Sequence, residues 1–326
     1  MTNFGYSYRN QPSDADDAVS PPGWFLRELA KIARSSPSVP TRSAIVFENT
    51  KGDASKNEEI LRSVDFDVAR LISANRTTTL GYGSEFRTVE QLRPLLGSHP
   101  NFDELSKVFN SGMSYVFDRE LDALTKSTEL RKLLQRGNHK SAQDSVDKVS
   151  ELISKDVVHG FVIPIPPEVV EKIPGAAVQP LGLARQWSIN EAGERVEKLR
   201  LTQDLSFSSN RDGSPTSVNS RIDMSAYKEM IFGWCLPRIL HFIVAIRIAF
   251  PLLGILIAKY DYSDAYHRIA HSASAAAQTI AAHAGITYLA LRLTFGGGTE
   301  PPYLVPVFRN GDGSLKREKS VQRMGP

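Results

Sequence analysis

Residues 259–269 read Lys-Tyr-Asp-Tyr-Ser-Asp-Ala-Tyr-His-Arg-Ile and place two carboxylates three positions apart, shortly after an apolar segment. That segment, residues 255–258, is Ile-Leu-Ile-Ala, and its apolar, charge-free character predicts a buried β-strand. Asp261 then lies where the strand leaves the core, a position at which a carboxylate can bind a divalent metal ion. Asp264 has a second explanation, because it directly precedes Ala265 and can cap a helix that begins there.

The chain has 326 residues, of which 41% are hydrophobic, as expected of a globular protein with about two domains of ~150 residues. The formal net charge of +3 is too small and too evenly spread to indicate a nucleic-acid-binding protein by itself. The single cysteine, Cys235, excludes an intramolecular disulfide framework and fits an intracellular compartment, cytoplasmic or nuclear.

The longest hydrophobic stretch, residues 248–258, is interrupted by Pro251, and residues 1–10 contain no apolar core. The sequence therefore predicts no signal peptide, no transmembrane segment and no membrane partner.

Composition divides the chain into four parts. Residues 1–55 are rich in Ser, Pro, Asp and Asn, which predicts a disordered arm with one short helix at 24–32. Residues 56–156 place apolar side chains at helical spacing and form a predicted helical region. Prolines near the start of 157–302 favour extended chain, so a second architecture is expected there. Residues 303–326 are basic, lack periodicity and are predicted to be a disordered tail.

A β-hairpin is predicted in the second half of the chain. Two strand-like runs, 183–189 and 196–205, flank an Asn/Gly turn at 190–193. Within the second run, Lys198 and Arg200 alternate with leucines. Because side chains alternate between the faces of a strand, one face of this hairpin is expected to be cationic and the other buried.

The order of residue types at 259–269 resembles the first palm motif of reverse transcriptases: a strand, Asp, two residues, Asp, Ala, an aromatic residue and then Ile. The resemblance implies that Asp261 is the catalytic ligand of the two magnesium ions that assist nucleotidyl transfer. It also implies that Asp264 and Ala265 bind the nucleotide triphosphate through their backbone amides. Tyr266 would then exclude a ribose 2′-hydroxyl and favour deoxynucleotides, whereas the alternative for Tyr266 is an ordinary core aromatic.

Other segments are similar to the same family and occur in the same order. Arg200-Leu-Thr-Gln-Asp-Leu-Ser206, followed by Ser217-Val-Asn219, resembles the fingers hairpin whose arginine binds the incoming triphosphate. This resemblance assigns nucleotide binding to Arg200, and a guanidinium suits phosphate oxygens because it can bind two of them at once. Lys198 on the same hairpin is the candidate nucleic-acid-binding residue, although an exposed basic side chain on a strand is usually only solvated.

Residues 293–301, Leu-Thr-Phe-Gly-Gly-Gly-Thr-Glu-Pro, resemble the segment that lies under the template–primer and the nucleotide in reverse transcriptases. Phe295 and Gly296 match that segment and are the remaining nucleotide-binding candidates. The resemblance predicts an α+β fold, with a helical N-terminal region followed by the fingers and partial palm of a right-hand polymerase. It also places a strand near 278–281, whereas the alanine-rich composition of 273–284 favours a helix, at least in its first part.

The sequence lacks one essential element of the family, the Tyr/Phe-x-Asp-Asp motif that supplies the other metal ligands. Asp312 is the only aspartate after Asp264, so the family's Mg²⁺ ions are not expected to bind tightly. The sequence therefore predicts a truncated retrotransposon-type reverse transcriptase, inactive on its own, whose partners by resemblance are a template–primer and deoxynucleotides. The alternatives are a non-catalytic nucleic-acid-binding protein with salt-dependent affinity and a helical interaction protein with a chance motif.

His267 and His271 stand four positions apart, a spacing that can place two imidazoles on one helical face for zinc. Arg268 occupies the position at which a zinc protease motif has its catalytic glutamate. These histidines are therefore expected to be ordinary structural residues.

Overall fold

The computed structural model describes residues 23–34, 44–75, 88–98, 102–190, 192–209, 216–226, 235–252, 254–255 and 266–294. Within these ranges the protein is α+β, as predicted, with eight helices before the first strand. The helices are α1 Gly23–Arg34, α2 Lys51–Ser63, α3 Val68–Ala74, α4 Val89–Leu96, α5 Phe102–Ser111, α6 Ala123–Arg136, α7 Lys140–Gln143, α8 Val146–Val158, α9 Val218–Arg221, α10 Cys235–Ala249 and α11 Ala273–Gln278. Short 3₁₀ turns lie at Pro167–Lys172, Met224–Ala226 and Tyr266–Arg268.

Part of the core lies on the N-terminal side of the boundary predicted at residue 56. Helix α2 starts at Lys51, and the hydroxyl of Thr50 caps it by accepting a hydrogen bond from the backbone amide of Asp53. Upstream of this cap, Ile45 is buried in the core. This part of the chain thus contains a helix-capping residue and a core residue, which its overall composition does not distinguish from a disordered arm.

The strands form two separate sheets. They are β1 Val162–Ile165, β2 Val178–Gln179, β3 Leu181–Ile189, β4 Arg195–Gln203, β5 Ile280–His283 and β6 Ile286–Ala290. The larger sheet has the order β1-β6-β5-β2, with β2 and β5 parallel and the other pairs antiparallel. Among the described strands, β3 and β4 pair only with each other, so the predicted hairpin is confirmed as a two-stranded antiparallel ribbon.

The four-stranded sheet packs against apolar side chains on both faces. Along β6, Leu289 belongs to the cluster that also contains Leu61 of α2 and Leu71 of α3. Tyr288, its neighbour in sequence, points to the other face and packs with Val149 of α8. The N-terminal helices therefore complete the core on which the later strands lie.

Helix α11 and strand β5 resolve the two expectations for residues 273–284. The helix ends at Gln278 and the strand begins at Ile280, so the alanine-rich start is helical and the family-like strand follows. The strand predicted at 255–258 lies, beyond Ile255, outside the described residues.

The turn between β5 and β6 offers a test of backbone strain. His283 pairs with Ile286, and the two intervening residues, Ala284 and Gly285, both have positive φ angles of 51° and 77°. This combination matches a type I′ hairpin turn, in which alanine is unfavourable and glycine or asparagine is preferred.

Ala284→Gly is expected to raise the free energy of unfolding by about 0.5–1 kcal/mol, because glycine adopts positive φ without a Cβ penalty. Urea denaturation followed by circular dichroism measures this change. The control is Ala69→Gly on the exposed side of α3, where the same substitution should destabilise the protein by up to about 1 kcal/mol. Destabilisation by Ala284→Gly would contradict the assigned turn.

Candidate functional site

The β3–β4 hairpin carries the basic residues that the sequence predicted to bind nucleotide and nucleic acid. Lys198 pairs with Gln186 and Arg200 pairs with Ala184, so the two basic residues share one face of the ribbon. Lys198 is exposed and Arg200 is half-buried. The neighbouring Leu199 and Leu201 project from the opposite face, as predicted, but they are half-buried rather than buried.

The base of the hairpin is fixed to the rest of the fold by buried side chains and by one asparagine. Leu181 and Leu183 of β3 are 3% and 7% exposed, and Leu201 of β4 packs against the α8 side of the core. The side-chain amide of Asn138 donates to the carbonyl of Ala282 at 2.8 Å, and its Oδ1 accepts from the Leu181 amide at 2.9 Å. Asn138 thereby couples the hairpin to β5.

The outer half of the hairpin is exposed and combines aromatic with basic groups. Trp187 is 57% exposed and Ile189 is 75% exposed. The guanidinium carbon of Arg195 lies 4.4 Å from the centre of a Trp187 ring, a cation–π distance. Such a surface can contact phosphates through its basic groups and bases through its aromatic ring.

A histidine–carboxylate pair lies beside the base of the hairpin. His139 Nε2 is 2.9 Å from Oδ2 of Asp204, the residue that directly follows β4. The His139 ring also packs edge-on against Phe207, with 5.7 Å between the ring centres. The helical region and the segment after the hairpin are thus joined by polar as well as apolar contacts, which sequence reasoning did not predict.

The remaining candidate nucleotide-binding residue within the described ranges is Tyr266, and it lies in the core. It is 4% exposed and packs with Val108, Met113, Ile269 and Leu293. This is the alternative that the sequence left open for Tyr266, an ordinary core aromatic. The cluster around Tyr266 is also separate from the cluster that contains Leu201 at the hairpin base.

Five predicted site residues lie outside the described residues. They are the catalytic and metal-binding candidate Asp261 and the nucleotide-binding candidates Asp264, Ala265, Phe295 and Gly296. The structure therefore places Lys198, Arg200 and Tyr266 and brings only the first two together.

The two histidines with zinc-like spacing do not share a helical face. His267 belongs to a short 3₁₀ turn, and its ring packs at a tilt against that of Phe161, with 4.6 Å between the ring centres. His271 is 1% exposed, and its Nδ1 lies 2.9 Å from the carbonyl oxygen of Ala290. Burial lowers the pKa of His271 to about 4, so it is neutral at pH 7. Within the described ranges, no three His, Cys, Asp or Glu side chains form a group that could hold a metal ion.

Helix α10 is strongly apolar, yet many of its side chains face solvent. The residues that are more than half exposed include Ile239, Leu240, Phe242, Val244 and Ile248. Nevertheless, none of the helices that the structure describes has both the length and the apolar composition needed to cross a membrane.

A buried polar group that sequence reasoning missed lies between α9 and α11. Arg221 is 2% exposed and donates from Nη2 to Oε1 of Gln278 at 2.8 Å. In the sequence, Arg221 is only an arginine shortly after the Ser-Val-Asn segment, and most arginine side chains are exposed to solvent. Burial was therefore not predictable from the local pattern.

Comparison with known proteins finds no matching protein family, no similar curated protein and no similar solved structure.

Proposed function

We propose that this chain is a reverse-transcriptase-type domain of a retrotransposon-type element, formed by the fingers and part of the palm of an RNA-directed DNA polymerase. In this proposal, the β3–β4 hairpin binds the phosphates of a template–primer and of deoxynucleotides. The observation that carries the proposal is the position of Lys198 and Arg200 on one face of a ribbon whose base is buried. The order of the sequence motifs from 200 to 296 supports the same assignment.

The two basic residues suit different parts of a nucleic-acid ligand. Arg200 is half-buried, and electrostatic attraction to phosphate is stronger where solvent is partly excluded. A guanidinium in that position can bind two oxygens of a triphosphate. Lys198 is exposed and suits the sugar–phosphate backbone of a longer chain, to which an ammonium contributes as a point charge.

The residues present do not fit a pair of catalytic magnesium ions. The sequence contains no Tyr/Phe-x-Asp-Asp motif, and the described residues contain no cluster of metal ligands. A two-metal centre needs several bridging carboxylates, and Asp261 alone is insufficient. No step of nucleotidyl transfer is therefore assigned to magnesium in these 326 residues, and the proposal includes binding without polymerisation.

The alternative is a nucleic-acid-binding protein that has no relation to polymerases. The burial of Tyr266 favours it. The two proposals differ in nucleotide binding. A reverse-transcriptase-type hairpin should bind deoxynucleoside triphosphates through Arg200, whereas a general nucleic-acid-binding surface needs only the polymer backbone.

Replacement of Lys198 and Arg200 by alanine is expected to weaken binding of a labelled single-stranded oligonucleotide to the full chain. Loss of two phosphate contacts should also reduce the slope of log K against log[salt] by about 1.4, at ~0.7 per contact on a single strand. Fluorescence anisotropy between 25 and about 200 mM NaCl measures both quantities. Lys198→Ala alone provides a variant at an exposed position, where folding is least disturbed.

The matched control replaces Lys148 and Lys155 of α8 by alanine. Both lysines pair with Glu151; Lys155 is exposed and Lys148 is half-buried. It changes the net charge by the same amount and should leave the binding slope unchanged. Equal losses in both double variants would refute the role of the hairpin. Primer extension that disappears in Asp261→Ala would instead contradict the claim that these residues do not polymerise.

A further inference from the structure

Helix α10 has an apolar face that is open to solvent. Its sequence contains two charged residues, Arg238 and Arg247, and no acidic residue. Three large apolar side chains of the helix, those of Leu240, Val244 and Ile248, are 54%, 54% and 76% exposed. A helix that is apolar around most of its circumference is normally buried, and a large exposed apolar patch marks an interaction surface.

The exposed side chains of α10 form a ridge beside a groove. The ridge consists of Leu240, Val244 and Ile248, which recur every four residues and therefore follow one line along the helix. The adjacent row, displaced by one residue, is exposed as well and consists of His241, Ala245 and Ala249. Because two of these three side chains are single methyl groups, this row forms a shallow groove beside the ridge.

The ridge and the groove make α10 complementary to a second copy of itself. A two-fold axis that runs between the two rows places the ridge of each helix on the groove of the other. Val244 then lies against Ala245 of the second copy, and Ile248 lies against Ala249. Packing of such four-residue ridges into grooves is the commonest arrangement of two helices in globular proteins, at an angle of about −50°.

The other side of α10 favours a second copy over a lipid surface as the occupant. A helix that lies in a membrane interface needs one apolar side and one strongly polar side. Away from the ridge, α10 carries Ile239, Ile243 and Ile246, so that side is apolar too. The two arginines belong to neither the ridge nor the groove, and their long side chains can stay in water when two helices pack together.

We propose that the protein forms a symmetric homodimer in which α10 packs against α10 of a second copy. The contact would bury about 1,000 Å² in total, close to the lower limit for a specific interface, so a weak dimer with a dissociation constant of about 10 µM is expected. This association does not depend on nucleic-acid binding by the β3–β4 hairpin.

Sedimentation velocity of the full chain from about 1 to ~200 µM tests the proposal, because a dimer forms in proportion to concentration. Val244→Glu should raise the dissociation constant at least about 100-fold, since each dimer would bury two unpaired carboxylates. Val244 is more than half exposed, so the monomer should fold normally, as circular dichroism can verify. The matched control is Ile239→Glu, at a 52% exposed position on the other side of α10, and it should leave the dimer intact.

Ala245→Leu separates specific packing from general apolar adhesion. Leucine fills the groove and should raise the dissociation constant about tenfold. Non-specific association would instead become tighter with the larger apolar side chain. A monomer at every concentration, tighter association of Ala245→Leu, or equal loss in Val244→Glu and Ile239→Glu would each refute the proposal. If the monomeric chain instead floats with vesicles of phosphatidylcholine and phosphatidylserine and Val244→Glu does not, lipid covers α10 and the proposal is wrong.

Discussion

Gly112→Ala is expected to destabilise the protein by about 3 kcal/mol or to prevent its folding. Gly112 has a φ of +75°, a conformation that costs a residue with a Cβ about 1–2 kcal/mol. A Cβ built there would lie 2.6 Å from the carbonyl carbon of His271 and from the amide nitrogen of Ser272. Both atoms belong to the backbone and cannot move as a flexible side chain can, so overpacking adds about 1–3 kcal/mol.

The substitution at Gly112 should also disturb contacts between distant parts of the chain. It follows α5, and the next residue, Met113, donates to the Ala270 carbonyl at 2.8 Å and accepts from the Ser272 amide at 2.8 Å. These bonds join the helical region to the segment that follows Tyr266. A displaced backbone at Gly112 would break both bonds and disturb the apolar cluster around Tyr266.

Urea denaturation followed by circular dichroism measures the effect, and two other glycines separate its causes. A Cβ at Gly254 meets no atom within 4 Å, so Gly254→Ala should change stability little. Gly193 also has a positive φ, +80°, but a Cβ there meets no atom within 4 Å. Gly193→Ala should therefore show only the cost of placing alanine at positive φ, about 1 kcal/mol. If Gly112→Ala lowers the free energy of unfolding by no more than Gly193→Ala does, the backbone of residues 271–272 does not lie against Gly112 in the folded protein.

Local sequence patterns predicted the elements that depend on neighbouring residues. The hairpin of β3 and β4 was predictable because a turn sequence separates two alternating runs, and α11 was predictable from its alanines. The close approach at Gly112 was not, because it joins residues about 160 positions apart in the sequence. Long-range backbone contacts leave no periodic signal in a single chain.

The candidate site was predictable only in part, for a similar reason. Alternation along a strand was sufficient to place Lys198 and Arg200 on one face. Burial of Arg221 depends instead on Gln278 and Phe117, which come from distant parts of the chain and leave no mark around the arginine. The resemblance to reverse transcriptases assigned roles to Asp261 and Asp264, which lie outside the described residues, so those roles remain predictions.

The second large effect is expected at Asn57, where Asn57→Leu should lower the free energy of unfolding by about 3 kcal/mol. Asn57 is 2% exposed, and its Oδ1 accepts from the Val46 amide at 2.8 Å. Its Nδ2 donates to the carbonyls of Val46 and Pro164, at 2.8 and 3.0 Å. Leucine has a similar size but cannot replace these bonds, and each buried group left without a partner costs about 1–3 kcal/mol.

The loss of stability should be localised as well as large, because Asn57 joins the backbone of Val46 to that of Pro164 in β1 through three hydrogen bonds. Hydrogen exchange should show faster exchange of the Val46 amide in Asn57→Leu, and urea denaturation gives the global effect. Asn110→Leu, at an exposed position on α5, is the control and should change stability by less than about 0.5 kcal/mol. A Val46 amide that stays protected in Asn57→Leu would mean that the apolar contacts of Ile45 and Phe47 hold this segment without the asparagine.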